Sequence, residues 1–227
     1  MEKAYYKAYD ERYKNVHLKN MLWTSTEPTL EVKKFLDDYH ARYDDEILDL
    51  ACGEGRDAIY LLQNGYQVLA LDYSRNAINK CNELMGYRYK NYFKQFDLIE
   101  DELNKKFKYI YSIAVLHMFV TQDHRDKYLK FIYEHLTADG VAFITVLGDG
   151  EKEYSSGISD AFLEIERVVM NNNQKVNVAT TSCRMVNWKN LKEELNDNGL
   201  EILKQWISRE IPEFSSSMCV VVRRKNG

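Results

Sequence analysis

Between residues 46 and 147 the chain alternates between short apolar runs and longer amphipathic runs, and this alternation limits the folds available to it. The apolar runs predict five strands, at Glu46–Leu50, Tyr66–Leu71, Tyr92–Phe96, Phe107–Val115 and Val141–Leu147. The segments between them are long enough for parallel crossovers. The pattern therefore predicts an α/β fold with a doubly wound, mostly parallel, Rossmann-like sheet.

The segments on either side of this alternating region extend the prediction to a single domain over residues 1–227. Two helices before residue 40, the first at Glu2–Asn15, predict an N-terminal helical lid over 1–40. The closing runs Leu200–Ser208 and Met218–Arg224 predict an antiparallel edge hairpin that brings the sheet to seven strands. Residues 149–186 form an insert after strand five, with a helix expected at Ser156–Met170, a polar turn at 171–173 and a strand at Lys175–Thr181.

The composition of the chain limits the classes of partner and the compartment that we expect for it. The net charge is −4, and no helix carries a continuous basic stripe, so we expect no nucleic-acid partner. The apolar runs are far shorter than the roughly 20 residues that cross a bilayer, so we expect no membrane partner. The four cysteines are scattered without metal-ligand spacing, which predicts no metal site and indicates a reducing cytoplasm. Either a monomer or a homodimer fits the sequence.

A glycine turn follows the first strand and carries the strongest chemical signal. Gly53 and Gly55 lie where backbone can approach a ligand closely and adopt positive φ. Asp72 ends the second strand, where a carboxylate can accept hydrogen bonds from ribose hydroxyls. A dinucleotide and S-adenosylmethionine both fit a glycine turn with such an acid. The carboxylates around the turn would repel a pyrophosphate and attract a cationic cofactor, so S-adenosylmethionine is favoured.

The run Asp49-Leu-Ala-Cys-Gly-Glu-Gly55, with Asp72 and Asp97 at the ends of the next two strands, resembles the class I S-adenosylmethionine-dependent methyltransferases. The resemblance is close from Ile47 to Leu147. The motif sequence is most similar to that of the small-molecule enzymes of the tellurite-resistance and thiopurine groups, although Ala51 replaces the usual first glycine.

The resemblance implies a cofactor site. Asp49 and the Ala114 carbonyl would approach the methionine ammonium, Arg56 its carboxylate, Asp72 the ribose and Asp97 the adenine. The full set that the resemblance places at the cofactor is Asp49, Ala51, Cys52, Gly53, Gly55, Arg56, Asp72, Tyr73, Ser74, Asp97, Leu98, Ala114 and Val115.

The implied function is methyl transfer from S-adenosylmethionine to a small molecule by in-line displacement, with S-adenosylhomocysteine as product. His117, after strand four, is the first candidate for a general base, and a tyrosine of the first helix is the second. The lid and insert would supply the substrate contacts Tyr9, Tyr13, Trp23 and Arg184. The alternatives are an NAD-linked oxidoreductase on the same sheet and a catalytically silent S-adenosylmethionine-binding protein.

Overall fold

A computed structural model describes residues 4–86, 89–169 and 174–225. Its central sheet has seven strands in the order β10-β11-β5-β4-β1-β2-β3. Neighbouring strands are parallel except that β11 runs antiparallel to both β5 and β10. The predicted doubly wound sheet and its C-terminal antiparallel hairpin are thus confirmed. The strands of this sheet are β1 (Glu46–Leu50), β2 (Gln67–Asp72), β3 (Phe93–Gln95), β4 (Phe107–Ser112), β5 (Leu136–Leu147), β10 (Leu200–Ser208) and β11 (Ser217–Arg224).

Helices cover both faces of the sheet. The alternation along β1 shows why, since Ile47 packs with the helices on one face and Leu48 with those on the other. One face is covered by α2, α3 and α4, and the other by α5 and α6. The helices are α1 (Ala8–His17), α2 (Leu30–Asp38), α3 (Arg56–Gln63), α4 (Arg75–Met85), α5 (Gln122–His135) and α6 (Trp188–Asp197).

Local sequence signals account for several helix starts. The Ser74 hydroxyl accepts a hydrogen bond from the Ala77 amide at the start of α4, and the Asn187 side chain accepts one from the Asn190 amide at the start of α6. Among the described residues, no helix combines the length and apolar character that crossing a membrane requires.

The insert differs from its prediction. The described part of 156–170 forms a loop and strand β7 (Glu164–Val169), which pairs antiparallel with β8 (Gln174–Ala179). The expected helix was wrong because the β-branched residues Ile165, Val168 and Val169 favour an extended chain once a partner strand follows. The turn expected at 171–173 lies outside the described residues. Two further short strands, β6 (Tyr154–Ser155) and β9 (Arg184–Met185), pair at the base of the insert.

The N-terminal segment divides into two parts. Helix α1 packs toward the insert, where Val16 joins Val176 and Val178 in a small apolar cluster. The single-turn 3-10 helix Tyr5–Lys7 before it packs against the start of α5, where the Tyr5 hydroxyl and His124 are hydrogen-bonded. In contrast, α2 packs against the sheet through Val32 and Phe35. Within the described residues of this segment, those at positions 4–29 therefore include the ones that line a cavity at the carboxyl end of the sheet, and α2 does not reach it.

Candidate active site

A cavity of about 600 Å³ opens at the carboxyl ends of β1, β2 and β4, a size usual for small-molecule sites. The N-terminal segment and the β7–β8 hairpin close its upper side. Fifteen of the residues predicted from the sequence line this cavity, namely Tyr9, Tyr13, Trp23, Asp49, Ala51, Cys52, Gly53, Arg56, Asp72, Tyr73, Asp97, Leu98, Ala114, Val115 and His117.

The turn between β1 and α3 has the left-handed backbone that its glycines allow. The φ angles of Ala51, Gly53 and Gly55 are 62°, 56° and 78°. A Cβ atom on Gly53 would lie 2.7 Å from the Tyr13 hydroxyl, and one on Gly55 would lie 2.8 Å from the Cys81 sulfur. Gly55 does not line the cavity but begins α3 beneath it. The turn thus keeps bare backbone at the cavity wall.

Asp72 braces this turn from the end of β2. Its Oδ2 accepts a hydrogen bond from the Gly53 amide at 2.8 Å, and its Oδ1 accepts one from the Ser74 amide at 2.8 Å. Burial raises the pKa of Asp72 to about 6, although the two amide donors act in the opposite direction. Ser74 itself is buried outside the cavity, where it caps α4.

Asp49 lies at the floor of the cavity and is buried. The Tyr111 hydroxyl donates to its Oδ2 at 2.9 Å. Burial, and then the negative charge of Asp57, hold the pKa of Asp49 well above its ordinary value. A cationic ligand at this point would reverse that shift, because a neighbouring positive charge favours the ionised carboxylate.

Asp97 follows β3, lines the cavity and contacts the N-terminal segment. The Tyr6 hydroxyl donates to its Oδ2 at 3.1 Å, and Lys7 forms an ion pair with the same oxygen at 2.9 Å. Tyr73 is tied to this segment as well, since its hydroxyl accepts a hydrogen bond from the Asp10 amide at 2.6 Å and donates to the Lys7 carbonyl. The segment around α1 therefore contacts Asp97 and Tyr73, two residues that the sequence predicts to bind the adenine of the cofactor.

Two acidic residues whose roles the sequence reasoning missed hold the loops around the cavity. Glu54, buried in the glycine turn, accepts hydrogen bonds from the backbone amides of Trp23 and Thr24, each at 2.9 Å. Glu213 accepts a hydrogen bond from the Arg56 Nη1 atom at 3.0 Å. The charged residues of the glycine turn are visible in the sequence. Their partners could not be inferred from it, because the partner loops are distant in the chain.

His117 lies at the cavity wall beside Phe214 and is buried. The Leu147 amide donates to its Nδ1 at 3.4 Å, so the neutral ring carries its proton on Nε2. Burial, and then the charge of Arg125, lower the pKa of His117 to about 3. A neutral imidazole with this protonation pattern donates a hydrogen bond from Nε2 and is a poor general base.

Arg184 does not reach the cavity. Its guanidinium pairs with Glu194 at 3.3 Å and donates to the Val120 carbonyl at 3.1 Å, on the other side of the insert. The arginine that does line the cavity from the N-terminal segment is Arg12. Arg12 and Tyr13 follow Tyr9 by three and four positions, which places all three on one side of the helix. This spacing is the sequence signal that could have identified Arg12.

Comparison with known proteins agrees with this geometry. The family model described as "Methyltransferase domain" matches residues 23–205. A probable S-adenosyl-L-methionine-dependent methyltransferase TehB from Haemophilus influenzae is 29% identical over 100 residues, which are 44% of this chain and 35% of that protein. The chain thus aligns with about a third of the length of this curated relative.

Two solved structures show the same fold. The 1,6-didemethyltoxoflavin-N1-methyltransferase of Burkholderia thailandensis superposes with a TM-score of 0.71 at 18% identity, covering 100% of this chain and 92% of the other. The CcbJ methyltransferase of Streptomyces caelestis superposes with a TM-score of 0.68 at 16% identity, covering 96% of this chain and 99% of the other.

Proposed function

The chain belongs to the methyltransferase domain family, and from this premise we propose that it transfers a methyl group from S-adenosylmethionine to a small-molecule acceptor. The observation that carries the proposal is the left-handed glycine turn set between the buried carboxylates of Asp49 and Asp72 at one cavity wall. A nucleoside that bears a positive charge matches both features, because it needs close backbone approach and anionic neighbours.

The residues at this wall fit such a cofactor. Asp49 and the carbonyl of Ala114, which has a φ of 57°, would take the ammonium group. Asp72 would take the ribose hydroxyls, and Asp97 the adenine amino group. The remaining contacts would come from Arg56 to the cofactor carboxylate, from Tyr73 and Leu98 beside the base, and from the backbone of Ala51, Cys52, Gly53 and Val115. Gly55 and Ser74 would support the site from beneath.

The bound cofactor supplies an electrophilic methyl group, and the protein supplies position and exclusion of water. Tyr9, Tyr13 and Trp23 cover the cavity, while Glu54 fixes the Trp23 loop to the glycine turn. A covered, mostly apolar cavity strengthens the electrostatic contacts inside it and holds the acceptor in line with the methyl group.

The pKa values of the candidate bases bear on the kind of acceptor. They indicate an acceptor that transfers no proton to the protein in the displacement step. The pKa of His117 is far below neutral, and burial holds the pKa of Tyr13 well above its ordinary value. Neither group is matched to proton abstraction near pH 7. We assign His117 a positioning role, in which Nε2–H donates a hydrogen bond into the cavity.

The alternatives are less well supported. An NAD-linked oxidoreductase would place a pyrophosphate at a turn surrounded by Asp49, Glu54, Asp57 and Asp72, all of which line the cavity. A catalytically silent binding protein would keep the cofactor contacts but release no product. We further propose a cytoplasmic enzyme, monomeric or homodimeric, that acts on neither nucleic acid nor membranes.

Calorimetric titration of S-adenosylhomocysteine and, separately, of NAD into the wild-type chain tests the cofactor assignment. We expect S-adenosylhomocysteine to bind with a Kd in the micromolar range, about −8 kcal/mol, and NAD at least a hundredfold more weakly. Preferential NAD binding, or no binding of S-adenosylhomocysteine, would refute the proposal. Methyl transfer from labelled S-adenosylmethionine to a panel of small molecules then separates an enzyme from a silent binder.

A further inference from the structure

Two arginines line the cavity on the side formed by the N-terminal segment and the insert. Arg12 reaches it from α1, and Arg167 reaches it from β7. The carboxylates of Asp49, Asp57 and Asp72 lie instead around the β1–α3 turn and the end of β2. The cavity therefore has carboxylates at the strand ends and two arginines on the side of the N-terminal segment and the insert.

Arg12 is held in a fixed orientation by neutral groups. Its Nη2 atom donates to the carbonyls of Ala179 and Thr180 and to the Thr181 hydroxyl, each at 2.8 Å. The guanidinium lies 4.5 Å from the centre of the Trp23 ring and 4.7 Å from that of Tyr9. These contacts orient the cation but bring no opposite charge to it.

The charge of Arg12 is buried without a counter-ion. The residue is only 7% exposed, and within residues 4–86, 89–169 and 174–225 no carboxylate lies within ion-pair distance of it. Burial lowers the pKa of Arg12, Tyr9 and Tyr13 act in the opposite direction, and the nearby positive charge of Arg167 contributes a smaller lowering. A buried cation beside a second cation costs free energy that an anion in the same cavity would recover.

Resting on the proposed function, we propose that the methyl acceptor is a flat molecule with a carboxylate group, and that Arg12 and Arg167 bind this carboxylate. The aromatic side chains Tyr9, Trp23 and Phe214 line the same cavity and suit a flat apolar body. The acceptor then presents its carboxylate to the lid and its nucleophilic atom to the cofactor.

The two arginines have separate tasks in this arrangement. Arg12 is buried and held by hydrogen bonds, so it supplies the fixed contact, while Arg167 is exposed on β7 and can approach the carboxylate from the rim. Arg167 has no acidic partner among the described residues, whereas its neighbour Glu166 pairs with Lys175 at 2.7 Å. Substitution of Arg167 should therefore leave the fold intact, which makes it the better residue for a test.

The experiment uses the full chain saturated with S-adenosylhomocysteine and two matched ligand pairs, benzoate with benzamide and 2-naphthoate with 2-naphthamide. Binding of S-adenosylhomocysteine is measured first, so that failure of the proposed function is recognised separately. Dissociation constants of the four probes are then taken from ligand-observed NMR titrations. We expect each carboxylate to bind at least tenfold more tightly than its amide.

Variants assign the preference to the arginines. Arg167→Gln should reduce carboxylate affinity at least fivefold and leave both amides and S-adenosylhomocysteine unchanged, and Arg12→Lys should reduce carboxylate affinity at least tenfold. Arg42→Gln, on an exposed arginine that pairs with Asp44, is the matched control and should change nothing. The proposal is overturned if a protein that binds S-adenosylhomocysteine binds neither carboxylate, prefers the amides, or keeps its preference in Arg167→Gln.

Discussion

Replacement of Glu54 by glutamine should release the Trp23 loop while leaving the sheet intact. The Oε1 atom of Glu54 accepts a hydrogen bond from the Trp23 amide at 2.9 Å and contacts the His17 Nε2 atom at 2.7 Å. The Oε2 atom accepts bonds from the Thr24 amide and hydroxyl, each at 2.9 Å. Glutamine has the same shape, but its amide nitrogen cannot accept a hydrogen bond from a backbone N–H group.

The magnitude follows from these four contacts. At least one backbone hydrogen bond to a charged acceptor is lost, at about 1.5–3 kcal/mol, and those that remain lose their charge assistance. We therefore expect the loop to be destabilised by about 3 kcal/mol. Because about 1.4 kcal/mol corresponds to a factor of ten, the loop should open more often by about two orders of magnitude.

Amide hydrogen exchange measures this opening directly. Protection of the Trp23 and Thr24 amides should fall about a hundredfold in Glu54→Gln, whereas the β1 amides should keep their protection. Glu83→Gln is the matched control, because Glu83 pairs with Lys80 on the surface of α4. If the Trp23 and Thr24 amides of Glu54→Gln keep wild-type protection within fivefold, the role assigned to Glu54 is wrong.

Three further predictions concern the turn and the titratable groups. Gly53→Ala should weaken S-adenosylhomocysteine binding at least tenfold in calorimetry, because its Cβ atom would lie 2.7 Å from the Tyr13 hydroxyl and displace it. Gly65→Ala, with positive φ but only a 3.8 Å neighbour, should cost about 1–2 kcal/mol of stability and keep binding. Equal binding in both variants contradicts this. Burial raises the pKa of Asp72 to about 6, so between about pH 4 and about pH 6 the folded chain keeps a proton that the unfolded chain has released. The free energy of unfolding, relative to Asp72→Asn, should therefore fall by about 2 kcal/mol as pH rises from about 4 to about 6.5. Parallel urea-unfolding profiles of the two proteins would contradict this. At saturating cofactor, the pH profile of kcat should show no titration step near pH 6.5 that belongs to His117, because the pKa of His117 is about 3. If kcat rises with a midpoint near pH 6.5 in the wild type and His117→Asn removes this rise, His117 acts as a base after all.

The sheet and the glycine turn at the cavity could be predicted because their signals are local. The apolar run Glu46–Leu50, the glycine turn after it and the acid ending the next strand are contiguous features, and parallel pairing brings strand ends together at one edge. The hairpin β10–β11 was predicted for the same reason, since two apolar runs are separated by a short turn. The structure adds the exact partners of Asp72 and Asp49.

The cavity side formed by the N-terminal segment and the insert could not be predicted because its contacts join distant segments. Arg184 and Arg12 are equally basic in sequence, and only packing decides that Arg184 pairs with Glu194 while Arg12 lines the cavity and donates to the Ala179 carbonyl. The strand at Glu164–Val169 depends on its pairing with β8, which overrides a helix-like spacing of apolar residues. Single-residue reasoning does not capture such pairings.

The central claim is that the carboxylate braced against the glycine turn binds the ribose of S-adenosylmethionine. Calorimetric titration of S-adenosylhomocysteine into Asp72→Asn tests it most directly, with Asp44→Asn on the surface as the matched control. Unchanged far-ultraviolet circular dichroism should show that both variants are folded. The account predicts micromolar binding in the wild type and in Asp44→Asn, and binding weakened at least thirtyfold in folded Asp72→Asn. Equal affinity in all three proteins would contradict it.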